Sequence, residues 1–310
     1  MSKKQIIFIV GPTASGKSEV AVILAKKINA EIISCDSMQV YRGMDIGTSK
    51  IKKNETRGIT HHLIDVIEPN EEFNVAIFRD KVNSLIDKIH REGGVPLLVG
   101  GSGLYMKILL DGIFDGAGEI KGFRKKIEEE ARNKPDDYLY QKLKEVDPPT
   151  ADSLHPKDRR RIIRALEVYY HMGMPISEAK EKRKGLWEKY SVLIFGLAYD
   201  RQALYKRINK RVDFMFEKGL LDEVKNLVDK FKLSRTAKNA LGCKELIGFL
   251  EGEYSLDEAR RLIKRNTRRY AKRQLTWFKK EPRIEWITVN EGESCEGIAA
   301  GIYAKVKSEI

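Results

Sequence analysis

The sequence predicts an α/β fold in which a parallel sheet is flanked by helices and carries a smaller all-helical inserted domain. Three observations predict it. Short β-branched runs alternate with helical patterns over the first hundred residues, as in strands joined by crossover helices. A glycine-rich phosphate loop falls where the first such run gives way to the first helical pattern. Strand character then disappears between about Asp115 and Tyr190 and returns afterwards.

The expected strands are residues 6–10, 30–35, 62–67 and 95–99. The helices between them are 17–28 and 74–91, with Glu92-Gly93-Gly94 as a stop signal and a further helix at 104–110. Asp115-Gly116-Ala117-Gly118 marks a break, after which a lysine- and glutamate-rich helical stretch runs to Arg132. Helices at 138–145, 159–170 and 176–184 follow, separated by Asp147-Pro148-Pro149, His155-Pro156 and Gly173-Met174-Pro175. Residues 191–198 rejoin the sheet. Helices at 201–218, 220–231, 244–250 and 256–278 come next, with an edge strand at 284–289. The domains read as 1–114 with 191–310, and an insertion at 115–190.

A chain of 310 residues exceeds the usual size of one core, which suits a large domain with a smaller one inserted. Lys+Arg 58 against Asp+Glu 45 gives a formal charge of +13 and favours an anionic partner. The first apolar run is too short for a signal segment, and no stretch approaches the roughly 20 apolar residues of a membrane span. Cys35, Cys243 and Cys295 lack metal or disulfide spacing, and His61 and His62 lack ligand spacing, so a reducing, cytoplasmic setting is expected.

Gly11-Pro12-Thr13-Ala14-Ser15-Gly16-Lys17-Ser18 matches the phosphate-loop pattern of nucleotide- and ATP-binding proteins, and its strand-to-helix context makes the sheet P-loop NTPase-like. The glycines let backbone amides converge on phosphate oxygens, the helix N-terminus adds its positive end, and Lys17 adds a charge. Ser18 is the expected Mg²⁺ ligand, and Mg²⁺ the expected cofactor. Asp36 follows the second strand, at the binding edge of a parallel sheet. Its chemistry admits a proton acceptor, a metal partner or a helix cap. Arg207 and Arg211 lie four apart on one helix and face the same way, which suits either a clamp on an anion or two solvated arginines; spacing does not choose between them. Gly100-Gly101-Ser102-Gly103 sits at another strand-to-helix junction, explained equally by a ligand contact or a tight turn. Arg159, Arg160, Arg161 and Arg164 share a helix with Tyr169 and Tyr170. Arg260, Arg261, Lys264, Arg265, Arg268, Arg269, Lys272 and Arg273 line another with Tyr270 and Trp277, the pattern of phosphate tracks on nucleic acid.

With these residues in view, the chain resembles the tRNA dimethylallyltransferase (tRNA isopentenyltransferase) family over nearly its whole length. The resemblance rests on Gly11–Ser18, Asp36-Ser37-Met38-Gln39-Val40-Tyr41, Gly100-Gly101-Ser102-Gly103-Leu104-Tyr105, Asp158-Arg159-Arg160-Arg161 with Arg164-Ala165-Leu166-Glu167-Val168, Leu241-Gly242-Cys243-Lys244-Glu245, and Tyr270-Ala271-Lys272-Arg273-Gln274-Leu275-Thr276-Trp277-Phe278. It implies that residues 11–18 hold the diphosphate of dimethylallyl diphosphate. Asp36 is then the general base toward the exocyclic amine of the adenosine 3′ of the anticodon, with Lys17, Ser18, Arg207 and Arg211 completing the catalytic set. It further places tRNA contacts on Asp36, Ser37, Met38, Gln39, Ser102, Arg124, Arg159, Arg160, Arg161, Ile162, Ile163, Arg164, Gly242, Cys243, Lys244 and Arg273. The partners implied are a tRNA anticodon stem-loop and dimethylallyl diphosphate, with no membrane. A bacterial-type enzyme is implied, since only Cys295 lies beyond the long helix, where eukaryotic members carry a zinc finger, and a monomer is expected because one protein module suffices to enclose a single stem-loop. Two other classes stay open at this point: a P-loop kinase of a small hydroxyl acceptor, which predicts ATP turnover, and a non-catalytic RNA-binding protein.

Overall fold

A computed structural model describes residues 3–113 and 122–309. In chain order the elements are β1 (Gln5–Val10), α1 (Lys17–Ile28), β2 (Ala30–Ser34), β3 (His61–His62), α2 (Val75–Arg91), β4 (Val95–Gly100), α3 (Gly103–Asp111), α4 (Phe123–Glu130), α5 (Tyr138–Val146), α6 (Pro148–Asp152), α7 (Arg159–Met172), α8 (Ile176–Glu181), α9 (Leu186–Lys189), β5 (Ser191–Ala198), α10 (Arg201–Glu217), α11 (Leu220–Lys230), α12 (Arg235–Lys238), α13 (Cys243–Leu250), α14 (Leu256–Phe278), β6 (Glu285–Thr288) and α15 (Cys295–Ser308). They form two compact units, Met1–Ile108 with Lys189–Ile310, and Leu109–Glu188. The division falls at residues 109 and 189 where composition suggests 115 and 191, and the Asp115–Gly118 break lies outside the described residues.

In the larger unit the strands pair in parallel in the order β3-β2-β4-β1-β5-β6. Their interiors are continuous apolar runs because both faces are covered. Ile7, Ile9, Ile32, Leu97, Val99, Phe195 and Leu197 point to one face, where α1 and α15 bury Val20–Ala25, Ile298, Ala299, Ile302 and Val306 against them. Each such aliphatic side chain taken fully from water contributes about 1.5–3 kcal/mol. The alternate residues Ile6, Phe8, Ile33, Leu98 and Ile194 face away from this cluster, and α2 packs against β4. Register sets Val10 beside Gly100 and Gly196, and Ser34 beside Val99. The loops beginning at Gly11, Cys35 and Gly101 therefore leave the same edge of the sheet side by side, which is the edge where parallel α/β sheets bind ligands.

Three expectations need correction. The strand at 62–67 is two residues long: Leu63 and Asp65 adopt left-handed φ of 60° and 55°, which ends the pleat, and only an isolated bridge joins Tyr41 to Ile67. Asp147-Pro148-Pro149 starts a helix, because proline fits its first turn and Asp147 Oδ1 accepts from the Thr150 amide at 3.1 Å. Residues 176–184 divide into α8 and a loop before α9. In addition α15, whose Gly297 and Gly301 weaken its helical pattern, completes the cover of α1.

The smaller unit is all-helical over its described residues. Ile127, Leu139, Leu143, Ala151, Ile162, Ile163 and Leu166 make its core. Fully buried Glu167 lies beneath, accepting from Arg164 Nη1 at 2.6 Å and Arg124 Nη2 at 3.3 Å.

Candidate active site

The phosphate loop is held by its carbonyls. Ala14 and Gly16 take left-handed φ of 64° and 77°, reversing the backbone between β1 and α1. Lys17 Nζ donates to Pro12 O at 3.0 Å, Arg207 Nε to Ala14 O at 2.9 Å, and the Tyr199 hydroxyl to Ser15 O at 2.9 Å. With those carbonyls engaged, the loop is fixed in a curled shape. Burial, reinforced by the charge of Arg211, lowers the Lys17 ammonium to about 8, while Asp36 pulls the other way. Ser18 is exposed on the first turn of α1, in a cavity of about 1060 Å³ that it shares with Glu19, Asp45, Lys50, Phe214 and Met215.

Asp36 opens onto a second cavity, of about 290 Å³, lined by Thr13, Ser37, Met38, Arg211, Val212, Met215, Tyr270 and Arg273 among others. Thr13, Asp36, Ser37, Met38, Arg211 and Arg273, singled out in sequence, thus meet in one place. Asp36 Oδ1 accepts from the Met38 amide at 2.8 Å, an Asx turn with no helix after it, so the helix-cap alternative does not describe it. The two arginines of α10 divide the work. Arg207 braces the phosphate loop and stacks on Tyr199 with its guanidinium 5.1 Å from the ring centroid. Arg211 faces Asp36 and Lys17 and is lowered by burial, with the Asp36 charge opposing.

Gln39 is held within the protein. Its Oε1 accepts from Ser34 Oγ at 2.8 Å and its Nε2 donates to Thr48 O at 3.4 Å, so its amide braces the loop after β2. That loop is also clamped by Glu223 of α11, whose carboxylate accepts from the amides of Asp45, Ile46 and Gly47 at 2.9, 2.6 and 2.9 Å. The glycines around Ser102 answer to close packing. A Cβ on Gly100, Gly101 or Gly103 would lie 2.2 Å from Cys35 O, 2.2 Å from Gln274 Nε2 and 2.4 Å from the Trp277 ring. Ser102 itself neighbours Tyr270, whose phenol is pushed up by burial and then by Asp36.

Of the remaining expected contacts, Ile162 and Ile163 are core residues of the smaller unit and offer no surface. Arg124 and Arg164 bind Glu167, whereas Arg159, Arg160 and Arg161 are exposed. Cys243 is buried, its thiol pushed up to about 12 by burial and by Glu223. Gly242 donates its amide to Glu245 at 2.9 Å, so Lys244 is the exposed side chain of that trio. Part of the basic row on α14 is held by the protein: Arg260 lies over Phe216, Lys264 pairs with Asp213, Arg268 donates to Asn209, and Arg261 pairs with Glu258. Arg269, Lys272 and Arg273 are exposed. Among the described residues no group of three or more His, Cys, Asp or Glu side chains converges as a metal site. None of the described helices is long and apolar enough to cross a membrane.

Sequence reasoning missed Glu223, Tyr199 and Gln274. Gln274 had a signal: it occupies a position of the buried stripe Ile263, Thr267, Ala271, Gln274, Phe278, where an apolar residue is the norm.

Comparison with known proteins agrees with this geometry. A family model described as IPP transferase matches residues 39–281. The chain is 50% identical over 306 residues to the tRNA dimethylallyltransferase of Carboxydothermus hydrogenoformans, covering 98% of each, and 47% identical to that of Pelotomaculum thermopropionicum, covering 97% and 96%. Among solved structures, the full-length tRNA isopentenylpyrophosphate transferase of Bacillus halodurans aligns with a TM-score of 0.72 at 41% identity over 99% of this chain and 98% of that one. A eukaryotic dimethylallyltransferase acting on tRNA aligns with a TM-score of 0.80 at 33% identity, over 92% and 74%. A phosphate loop and a carboxylate at one sheet edge, together with these matches over nearly the full length, lead to one conclusion: the chain belongs to the IPP transferase family.

Proposed function

We propose that the protein transfers a dimethylallyl group from dimethylallyl diphosphate to the exocyclic amine of the adenosine 3′ of the anticodon, releasing diphosphate. The observation that carries this reading is the meeting of the phosphate loop with Asp36: Thr13 of the loop, Asp36 and Arg211 line one cavity, and the charges of Arg211 and Asp36 both reach the Lys17 ammonium. Departure of diphosphate leaves positive character on an allylic carbon and negative charge on the leaving oxygens. Loop amides, Lys17 and Arg211 lower the barrier at the place where that negative charge develops. The adenine amine is a weak nucleophile because its lone pair is delocalised into the ring. Asp36, fixed through one oxygen to the Met38 amide, is oriented to take the amine proton as the new bond forms. Ser18, with its exposed hydroxyl on the first turn of α1 and Glu19 and Asp45 in the same cavity, offers the hard oxygen donors that suit Mg²⁺. When bound there, Mg²⁺ supplies Lewis-acid neutralisation of the diphosphate.

The basic exposed residues Arg159, Arg160, Arg161, Lys244, Arg269, Lys272 and Arg273 fit an RNA backbone, and the net charge of +13 supports the same partner. The reading includes one anticodon stem-loop per monomer, in the cytoplasm. The deciding experiment incubates the protein with unmodified tRNA, Mg²⁺ and labelled dimethylallyl diphosphate, with ATP in parallel, and analyses the nucleosides after nuclease digestion. Prenylated adenosine formed without ATP is the expected result. Phosphate transfer from ATP with no label in tRNA would replace this reading by a kinase.

A further inference from the structure

A primary amide inside the buried stripe of α14 needs partners, because a buried donor or acceptor left unmade costs more than a made bond returns. Besides the neighbouring Tyr270 side chain, Gln274 has two backbone partners at the sheet edge. Its Oε1 accepts from the Thr13 amide at 2.9 Å and its Nε2 donates to Gly101 O at 2.9 Å. Only a group carrying one donor and one acceptor satisfies this pair; the flipped amide would set donor against donor and acceptor against acceptor. Space agrees with chemistry, since a Cβ on Gly101 would sit 2.2 Å from that same Nε2.

The Thr13 N–H and the Pro12 C=O belong to one planar peptide unit. Gln274 holds its nitrogen end, and Lys17 Nζ donates to its oxygen end at 3.0 Å. Rotation of that plane would move the carbonyl on which the ammonium rests. We propose that Gln274 is a positioning residue of the diphosphate site: by locking the Pro12–Thr13 peptide it sets the place of the Lys17 ammonium and the curl of the loop. The inference rests on the reading of this loop as the diphosphate site.

The test compares Gln274→Met, Gln274→Glu and Gly101→Ala with the parent. It measures affinity for dimethylallyl diphosphate and for inorganic diphosphate with Mg²⁺, kcat and KM for transfer, and affinity for an anticodon stem-loop RNA. Gln274→Met loses both bonds at similar volume and should weaken binding of both diphosphates by roughly 10- to 100-fold while stem-loop affinity holds. Gly101→Ala, which displaces Nε2 and leaves Gln274 in the chain, should give the same pattern and covers the case in which Gln274→Met fails to fold. In Gln274→Glu the carboxyl offers donor and acceptor only when protonated. Its deficit relative to the parent at each pH should shrink as pH falls, while that of Gln274→Met stays constant. Parental diphosphate affinity in folded Gln274→Met and Gly101→Ala, a loss shared equally with the stem-loop, or a pH-independent deficit in Gln274→Glu would overturn the assignment. If the parent forms no prenylated adenosine, the proposed reaction fails on its own, and binding of inorganic diphosphate still decides the role of Gln274.

Discussion

Raising the pH from 7 to 9 should remove the charge that Lys17 brings to the diphosphate. Burial and Arg211 hold this ammonium at about 8 in the unliganded protein, well under its ordinary 10.5. It is therefore about nine-tenths charged at pH 7 and about one-tenth charged at pH 9. Dimethylallyl diphosphate, an anion, selects the charged form. Affinity should be full below the value of Lys17 and decline above it, about tenfold weaker at pH 9 than at pH 7. Binding should also take up about 0.1 proton at pH 7 and about 0.9 at pH 9, measured by calorimetry in buffers of different ionisation enthalpy. Stability runs the other way. A lysine whose folded value lies below its unfolded one binds its proton more readily when unfolded, so Lys17 costs stability as pH falls from 10.5 toward 8. Weakening at pH 9 consequently cannot be ascribed to this group unfolding the site. Lys17→Arg keeps a charge at every pH and should flatten the profile. A flat parental profile, or no proton uptake at pH 9, would refute the placement of Lys17 against the leaving group.

Asp36→Asn should lower the transfer rate by about 10²- to 10⁴-fold with stem-loop binding retained, and equal loss of both would reduce Asp36 to a turn residue. The same change should move the Lys17 break to lower pH, because the charge of Asp36 opposes the shift. Glu223→Ala removes the acceptor for three consecutive amides and should cost about 1–3 kcal/mol in denaturant unfolding, with early loss of protection at Asp45, Ile46 and Gly47 in hydrogen exchange. Burial raises Glu167, but hydrogen bonds and charge from Arg164 and Arg124 outweigh it and hold the group below its ordinary 4.5. Its contribution is present above that value and lost as pH falls through the lower folded one. Glu167→Gln should thus cost on the order of 1 kcal/mol at pH 7, since both arginines are partly solvated, and progressively less in acid.

What was legible in sequence is what local pattern encodes. Residues 6–10 and 96–100 are apolar without interruption because they are buried on both faces, and the phosphate loop is a contiguous motif whose context lies within a few residues of it. Asp36 was placed by the same logic, as the first acidic residue past a parallel strand. The supports of the site were not legible, because they join distant parts of the chain: Thr13 to Gln274 spans 261 positions, Ser15 to Tyr199 184, and Gly47 to Glu223 176. Resemblance also assigned contacts as a block, and periodicity separates them. On α7, Ile162, Ile163 and Leu166 form the inward stripe, while Arg159, Arg160 and Arg161 lie outward.

The buried stripe of α14, with Gln274 set into it, gives the architecture of the larger unit its logic. The sheet supplies three adjacent loops at one edge, and past the first bonds from Cys35 N to Val99 O and Ser102 N to Cys35 O the ladder no longer pairs their carbonyls and amides. Restraint has to come from elements outside the sheet. Tyr199 and Arg207 supply it from the segment after β5, Glu223 from α11, and Gln274 from α14. Successive residues on a helix are separated by about 100°. Arg273 can therefore line the Asp36 cavity while Gln274, its neighbour, turns inward to the phosphate loop and Trp277 packs under Gly103. A rigid helix fixed at three points on the sheet edge then presents its exposed basic residues at a constant distance from the loop that holds the leaving group. Reaction between two bound partners needs that constancy, because misplacing the acceptor by about 1 Å costs on the order of 10²-fold in rate.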